Sequence, residues 1–204
     1  VIQAADNGYM LGGGVLSPGA FTGDAFFLKT DASGDSVWMT TFGDTAYSES
    51  IRRVIQTADG GYAGTGSGSD DFGSWWYFAK ADATGTIQWT RTYGGIYWDY
   101  TTDVVQTADG GYAIIGFEYN FDEFSGWMKI IKTDASGQPQ WSKLYGQDFQ
   151  ADTYSTPSSI NLTTDGGFVV TGSVRTGILG PSNIWVLKLD SAGEIVWDLS
   201  LIHI

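Results

Sequence analysis

The residues best suited to chemistry in this 204-residue sequence are acids that stand next to aromatic side chains. Carboxylates accept hydrogen bonds and can ligate cations, while aromatic rings offer flat apolar surfaces to a ligand. Together they suit the binding of a glycan or a peptide. The alternative for each aromatic residue is structural packing between sheets. The candidate ligand-binding residues are Asp70, Asp71, Tyr97, Trp98, Asp99, Tyr119, Asp122, Glu123 and Phe124.

Catalytic and metal motifs are absent from the sequence. There is no cysteine, which excludes a Cys-His nucleophile. The only histidine, His203, falls in the last six residues, which we expect to be non-native, so no Ser-His-Asp nucleophile is expected either. The Asp-x-Asp-x-Asp-Gly spacing of calcium loops is also missing. We therefore predict no catalytic residue, no metal ligand and no cofactor. Two alternatives stay open: a Ca²⁺ ion held by loop acids, and a carboxylate pair of the glycosidase type.

Four internal repeats organise the chain and must position these residues. Each begins with a turn of the pattern Asp-(Gly/Asn)-Gly-(Tyr/Phe), at Asp6, Asp59, Asp109 and Asp165. Each continues with Lys-x-Asp-x-x-Gly-x-x-x-Trp, starting at Lys29, Lys80, Lys132 and Lys188. A period of this length is typical of repeat architectures. We expect the Asp-Gly-Gly motifs to be tight hairpin turns that need a positive φ, and not phosphate or metal loops.

Four strands are predicted in each repeat. The third strand ends at the repeated Lys and is apolar at nearly every position, as in Trp75–Lys80 and Trp127–Lys132. Since successive strand residues face opposite sides, both faces of this strand should be buried between stacked sheets. The predicted class is therefore all-β, with four antiparallel blades of a β-propeller. The expected blades are residues 1–47, 48–97, 98–150 and 151–198.

The repeat pattern DGGY…KTDxxG…W…YGG resembles the propeller repeats of about 50 residues in secreted and surface proteins of bacteria and archaea. The Asp-x-x-Gly-x-x-x-Trp segment is more distantly similar to the tryptophan-docking motif of quinoprotein-like propellers. That resemblance implies that each repeated Trp packs its blade against the next one. The residues concerned are Trp38, Trp89, Trp141 and Trp197.

Variation between repeats concentrates in two of the four connections. The connections between strands two and three, and those between repeats, differ in length and sequence, whereas the other two turns hardly change. In an up-and-down meander alternate connections emerge at the same edge, so all variable loops should share one face. Variable loops on a rigid scaffold commonly carry binding residues. All the candidate residues fall in or beside these loops.

The composition limits the classes of partner that the protein is expected to bind. The net charge of −13 argues against nucleic acid and anionic membrane surfaces, both of which select basic patches. No apolar run is long enough for a membrane-spanning helix. We expect a glycan, protein or peptide ligand, no nucleic acid and no membrane insertion.

The two ends of the chain suggest a fragment. The last six residues, 199–204, resemble one reading frame of a transposon adapter used in sequencing libraries, so we expect the native domain to cover residues 1–198. A degenerate terminal strand is the alternative. We expect the remaining blades of a six- to eight-bladed propeller to be further partners.

The favoured function is a non-catalytic binding or display module of a secreted or cell-envelope protein. The alternative is part of an enzyme, either a quinoprotein-like oxidoreductase or a carbohydrate-active hydrolase, whose catalytic residues lie outside this sequence. An attached adhesion or sorting domain would favour the first function, and an adjoining catalytic domain the second.

Overall fold

A computed structural model describes residues 1–16, 21–94, 98–120, 125–146, 153–176 and 180–201 of the chain. Within these ranges the chain forms strands and turns with no helix, which confirms the predicted all-β class. It follows that this part of the chain holds no helix of the length and apolarity that a membrane crossing requires. The strands are β1 (Ile2–Gln3), β2 (Tyr9–Leu16), β3 (Gly23–Thr30), β4 (Ser36–Phe42), β5 (Ser48–Gln56), β6 (Tyr62–Ser69), β7 (Ser74–Ala81), β8 (Ile87–Tyr93), β9 (Tyr100–Gln106), β10 (Tyr112–Asn120), β11 (Ser125–Thr133), β12 (Pro139–Tyr145), β13 (Thr153–Leu162), β14 (Phe168–Thr176), β15 (Ser182–Leu189) and β16 (Ile195–Leu201).

Each repeat is an antiparallel meander of four strands. Strands β1–β4 form one four-stranded sheet and β5–β8 form another. Strands β9–β12 and β13–β16 follow the same order and are joined into an eight-stranded sheet by one parallel pair, Gly126 opposite Tyr154. Four strands per repeat are therefore present as predicted. No sheet among the described residues closes on itself, and the propeller arrangement stays a prediction.

The chain divides into two compact units, residues 1–101 and 102–204, each with a core between two consecutive repeats. In the first unit Phe27 and Met10 pack with Ile51 of the second repeat. In the second unit Met128 packs with Val170 of the fourth repeat. The core positions come from the apolar third strand and the strands beside it.

In the third repeat both faces of the third strand, β11, are buried, as its sequence predicts. The adjacent residues Ile130 and Ile131 are 0% and 3% exposed, although they point to opposite sides of β11. Strand β15 differs, because Leu187 is fully buried whereas Ile184, on its other face, is 59% exposed. The fourth repeat is thus covered on one face only.

The Asp-Gly-Gly motifs form the tight turns that the sequence predicts. In the second repeat Asp59 Oδ1 accepts hydrogen bonds from Gly61 N at 3.0 Å and from Thr57 Oγ1 at 2.5 Å. Gly60 has a φ of +81°, a left-handed conformation that favours glycine. Similar positive values recur at the matching positions of the other repeats, namely Asn7, Gly110 and Gly166.

An ion pair that sequence reasoning missed fastens each tight turn to the third strand. Lys80 is 4% exposed, and its Nζ lies 3.0 Å from Asp59 Oδ2. A Cβ at Gly61 would lie 2.5 Å from this Nζ, which explains the second glycine of the motif. The equivalent pairs are Lys29–Asp6, Lys132–Asp109 and Lys188–Asp165, with distances of 2.8, 2.8 and 2.9 Å.

Two of the repeated tryptophans contact the following repeat. Trp38 lies over Gly85, where a Cβ would come within 2.6 Å of the indole ring, and meets the Tyr62 ring edge-on at 6.0 Å. Trp141 stands in the same relation to Gly193 and Phe168. The contact implied by the family resemblance is thus present at both positions, although the two indoles are only half-buried.

The other two repeated tryptophans are Trp89 and Trp197. Trp89 packs edge-on against Phe78 of its own sheet at 5.2 Å. Trp197 is 48% exposed, so the expected packing against a next repeat is not found for it. Strand β16 continues to Leu201, with Leu199 opposite Val186, while residues 202–204, including His203, lie outside the described residues.

Candidate functional site

The two ends of the sheets differ in their connections. The repeated Asp-Gly-Gly turns and the turns after each repeated Lys lie at one end, which we call the tight-turn end. The connections at residues 43–47 and 70–73 lie at the other, which we call the variable-loop end. The 43–47 connection follows β4, which ends at Phe42, and the 70–73 connection precedes β7, which begins at Ser74. Both connections therefore leave the sheets of the first unit at this end.

A cleft of about 670 Å³ opens at the variable-loop end of the first unit. It lies between the end of the first repeat and strands β7 and β8 of the second. We call it the aromatic cleft. Its lining includes the acidic and aromatic residues Asp44, Tyr47, Glu49, Asp70, Trp75 and Tyr77.

Aromatic rings form much of the wall of the aromatic cleft. Tyr47 and Trp75 meet edge-on, with ring centroids 5.0 Å apart and an interplanar angle of 87°. Phe42 and Tyr77 are stacked at 6.3 Å. Tyr47 is 36% exposed and Trp75 is half-buried, so their rings combine fixed packing with surface that a ligand can reach. Such rigid aromatic residues commonly anchor ligands.

Glu49 is the buried acid of the aromatic cleft. It is 5% exposed, and its Oε1 accepts a hydrogen bond from Asp44 N at 3.2 Å. Burial raises the pKa of the Glu49 carboxyl, and the carboxylates of Asp44 and Asp24 raise it further, against the effect of the Asp44 N–H. Glu49 therefore takes up a proton more readily than an exposed glutamate.

Tyr77 supplies a neutral hydroxyl group. Burial, followed by the negative charge of Glu49, raises the pKa of Tyr77 to about 12. The phenol therefore stays protonated at physiological pH and can donate a hydrogen bond.

Asp70 shapes the rim that the aromatic cleft shares with the 70–73 loop. Its Oδ1 accepts hydrogen bonds from Phe72 N at 2.8 Å and from Gly73 N at 2.9 Å. This is the local Asx turn that aspartate favours in loops. The loop thus has a defined shape beside the cleft.

Three of the residues predicted from the sequence come together. Asp70, Asp71 and Trp98 line a shallow depression of about 280 Å³ beside the 70–73 loop. Trp98 is 67% exposed. Asp99 is 3% exposed, and its carbonyl accepts a hydrogen bond from Ser74 Oγ at 2.9 Å, so this acid is built into the sheet.

The other predicted residues are Tyr119 and four residues that the structure does not describe. Tyr119 belongs to the second unit, where it stacks on Tyr154 with ring centroids 6.3 Å apart. Four others, Tyr97, Asp122, Glu123 and Phe124, lie outside the described residues. In the part of the chain that is described, no three acidic or histidine side chains are grouped so that they could hold a metal ion.

Sequence reasoning missed Glu49, Trp75 and Tyr77. Trp75 and Tyr77 belong to the apolar third strand, which the sequence assigns to the core. Glu49 did carry a signal, because it stands ten residues before Asp59, just as Asp99 stands ten residues before Asp109. In both repeats this acid is buried where the variable loop enters the first strand.

Comparison with protein-family models gave no match to the chain, and neither did comparison with curated proteins. The function is therefore inferred from the geometry and charge of the aromatic cleft and the neighbouring depression.

Proposed function

We propose that the chain is a non-catalytic glycan-binding module and that the aromatic cleft is its binding site. The observation that supports the proposal is the cleft itself, whose volume of about 670 Å³ falls within the range of small-molecule sites. Aromatic rings and polar groups converge on it, and it opens at the variable-loop end, where a ligand can reach it.

The lining favours a neutral sugar. A sugar ring has an apolar face, which suits the rings of Tyr47 and Trp75, and hydroxyl groups, which suit carboxylate acceptors. Asp44, Glu49 and Asp70 would repel an anionic ligand. A basic peptide is the competing ligand class, because the chain carries a net charge of −13. Added salt would weaken peptide binding much more than binding of a neutral sugar.

The module belongs, in this proposal, to a β-propeller of a secreted or cell-envelope protein. Four antiparallel meanders and the Trp38 and Trp141 contacts support the propeller arrangement. Four repeats lie at the low end of the blade numbers of propellers, and we propose that further repeats complete the ring.

The test starts with a glycan array at physiological salt, followed by calorimetric titration of the best glycan. Tyr47→Ala removes a ring of the aromatic cleft, and Trp98→Ala removes a ring of the shallow depression. We expect Tyr47→Ala to weaken binding about tenfold or more, as for an interface anchor, and Trp98→Ala to weaken it less. If only Trp98→Ala weakens binding, the ligand occupies the depression and the proposed site is wrong.

A second candidate function, a carbohydrate-active hydrolase, is favoured by one observation. Glycosidases use two carboxyl groups with different pKa values, and here the pKa of Glu49 is raised by burial and by the nearby carboxylates of Asp44 and Asp24. Incubation of the bound glycan with the protein would show new reducing ends that disappear in Glu49→Gln. Without such product, the binding function stands alone.

A further inference from the structure

The aromatic cleft extends along β8, the edge strand of the second repeat. Thr90, Thr92 and Gly94 line the cleft together with its acids and rings. Thr92 lies opposite Tyr77 of β7, and Thr90 lies opposite Ala79. Because Tyr77 and Ala79 pack in the core shared with the first repeat, the two threonines face the first repeat as well. From residue 90 to residue 94 the extended chain covers about 14 Å, which is longer than one sugar ring.

The cleft is bounded on two sides and open along β8. Toward the tight-turn end, Thr40 of the first repeat donates a hydrogen bond from Oγ1 to the Gly85 carbonyl at 2.9 Å, which joins the two sheets. On the inner side Phe42 stacks on the buried Tyr77. Both threonines of β8 are exposed. A ligand can therefore enter at the variable-loop end and lie along this strand.

The two halves of the cleft differ in chemistry. The half beside the loops holds the acids and the rings of Tyr47 and Trp75. The half along β8 presents the hydroxyl groups of Thr90, Thr92 and Tyr77, and the side chains of Thr90 and Tyr77 are hydrogen-bonded to each other. Hydroxyl groups both donate and accept hydrogen bonds, so this half suits the hydroxyl groups of a second sugar ring.

The repeat pattern does not require threonine at these two positions of the fourth strand. The corresponding residues of the other repeats are Met39 and Thr41, Ser142 and Leu144, and Asp198 and Ser200. Only the second repeat, whose fourth strand lines the cleft, has threonine at both. The threonine pair therefore accompanies the cleft and not the fold.

We infer that the aromatic cleft binds a linear neutral oligosaccharide of two or more residues. One sugar ring lies against Tyr47 and Trp75, and the next lies along β8, where Thr92 forms hydrogen bonds with its hydroxyl groups. We call Tyr77, Thr90 and Thr92 the threonine subsite. The inference rests on the proposed glycan-binding function, to which it adds the length of the ligand and a second subsite.

The first test compares sugars of increasing length by NMR titration of the protein, which also measures weak binding. The probes are the cello-, manno- and xylo-oligosaccharides of one, two and four residues. In the series that binds most tightly, we expect the affinity to rise about tenfold or more between one and four residues, as one or two further hydrogen bonds would give.

The outcomes separate this inference from the proposed function. If a monosaccharide binds as tightly as its tetrasaccharide, the threonine subsite is wrong, whereas glycan binding stands. Absence of binding in all three series would also overturn the inference. A negative glycan array would overturn the proposed function with it.

The second test removes one hydroxyl group of the threonine subsite. Thr92→Val keeps the size and the branching of the side chain. We expect it to weaken binding of the tetrasaccharide about fivefold, as for one lost hydrogen bond, and to leave binding of the monosaccharide unchanged.

Thr41→Val is the matched control, because Thr41 holds the same position in the first repeat. It lies opposite Phe26, whose neighbour Phe27 packs in the shared core, so Thr41 points away from the cleft. This variant should bind both sugars like the wild type. An unchanged affinity of Thr92→Val for the tetrasaccharide, or an equal loss for the monosaccharide, would contradict the threonine subsite.

Discussion

At the tight-turn end of the sheets, aspartates are ionised partners of buried lysines. At the variable-loop end of the first unit, the buried Glu49 has no lysine partner among the described residues. Hydrogen bonds from Thr57 and then from Lys80 lower the pKa of Asp59 to about 2. Burial and neighbouring carboxylates raise the pKa of Glu49 instead. A carboxylate therefore stabilises the fold at the tight-turn end, whereas burial of a carboxylate at the variable-loop end lowers the stability of the fold.

This contrast suggests that the tight-turn end of each repeat stabilises the fold and that the variable-loop end serves binding. The tight-turn end repeats the same contacts four times, and the repeated Trp contact fastens one sheet to the next. The variable-loop end bears a cleft whose acids and rings are not required by the repeat pattern. Residues that cost stability without helping to build the fold commonly serve binding.

The largest effect is expected for a repeat-joining tryptophan. Trp141→Ala should lower the free energy of unfolding by about 3 kcal/mol, because it removes a large aromatic ring from the contact with Gly193 and Phe168. Trp197→Ala is the matched control at the same repeat position and should cost about 1 kcal/mol or less in dilute solution, since Trp197 is 48% exposed. Chemical denaturation measures both. Equal costs would mean that the Trp141 contact does not join the repeats.

A pair of glycines tests the equivalent contact in the first unit, between Trp38 and Gly85, with smaller effects. Gly34 and Gly85 have φ values of +90° and +87°, so alanine strains the backbone equally at both, by about 1 kcal/mol. Only at Gly85 would the new Cβ meet the Trp38 ring, at 2.6 Å. We expect Gly85→Ala to cost about 2–3 kcal/mol in denaturation experiments, because a Cβ there also displaces the ring. If the two variants were equally stable, the close approach of Trp38 would be unimportant.

The next largest change in stability is expected for the ion pairs at the tight turns. Asp59→Asn should lower the free energy of unfolding by about 1 kcal/mol at pH 7, because it removes the charged partner of the buried Lys80. The effect is modest because Asp59 is 56% exposed and solvent screens the ion pair. A lowered folded-state pKa stabilises the protein above the unfolded value of 3.8, and the stabilisation is lost as the pH falls toward 2. The difference between wild type and variant should therefore shrink over that window. Thermal unfolding as a function of pH measures it, and a constant difference would contradict the assignment.

The smallest effect has the opposite sign. Glu49→Gln should raise stability at pH 7 by less than about 1 kcal/mol, because the amide keeps a hydrogen-bond acceptor for Asp44 N without burying a charge. A raised folded-state pKa contributes stability that is lost as the pH rises, so the gain should vanish below the ordinary value of 4.5, where wild-type Glu49 is protonated. A clear loss of stability at pH 7 would show that Glu49 is ionised and well partnered.

The sequence predicted the strands and tight turns because their signals are local. The Asp-Gly-Gly motif requires a positive φ at one residue, and the third strand shows its two buried faces in adjacent apolar residues. The lysine–aspartate pairs could have been predicted as well, since both residues recur in every repeat, 21 or 23 positions apart.

The aromatic cleft could not be predicted in the same way. It depends on how the 43–47 connection of one sheet faces Trp75 and Tyr77 of the next, and a strand pattern assigns those two residues to the core. Asp99 shows another limit of sequence reasoning, because the sequence places it in a loop beside Trp98, whereas in the structure it is only 3% exposed.

Ligand-induced thermal shift on three proteins tests the division between the two ends most directly. The wild type, Tyr47→Ala and Asp59→Asn are melted with and without the glycan that binds best. We expect Asp59→Asn to melt at a lower temperature yet keep the full ligand-induced rise, because its site is intact. Tyr47→Ala should melt close to the wild type without ligand and lose most of the rise. Should Asp59→Asn lose the ligand-induced rise, or Tyr47→Ala keep it, the assignment of stability to the tight-turn end and binding to the aromatic cleft would be wrong.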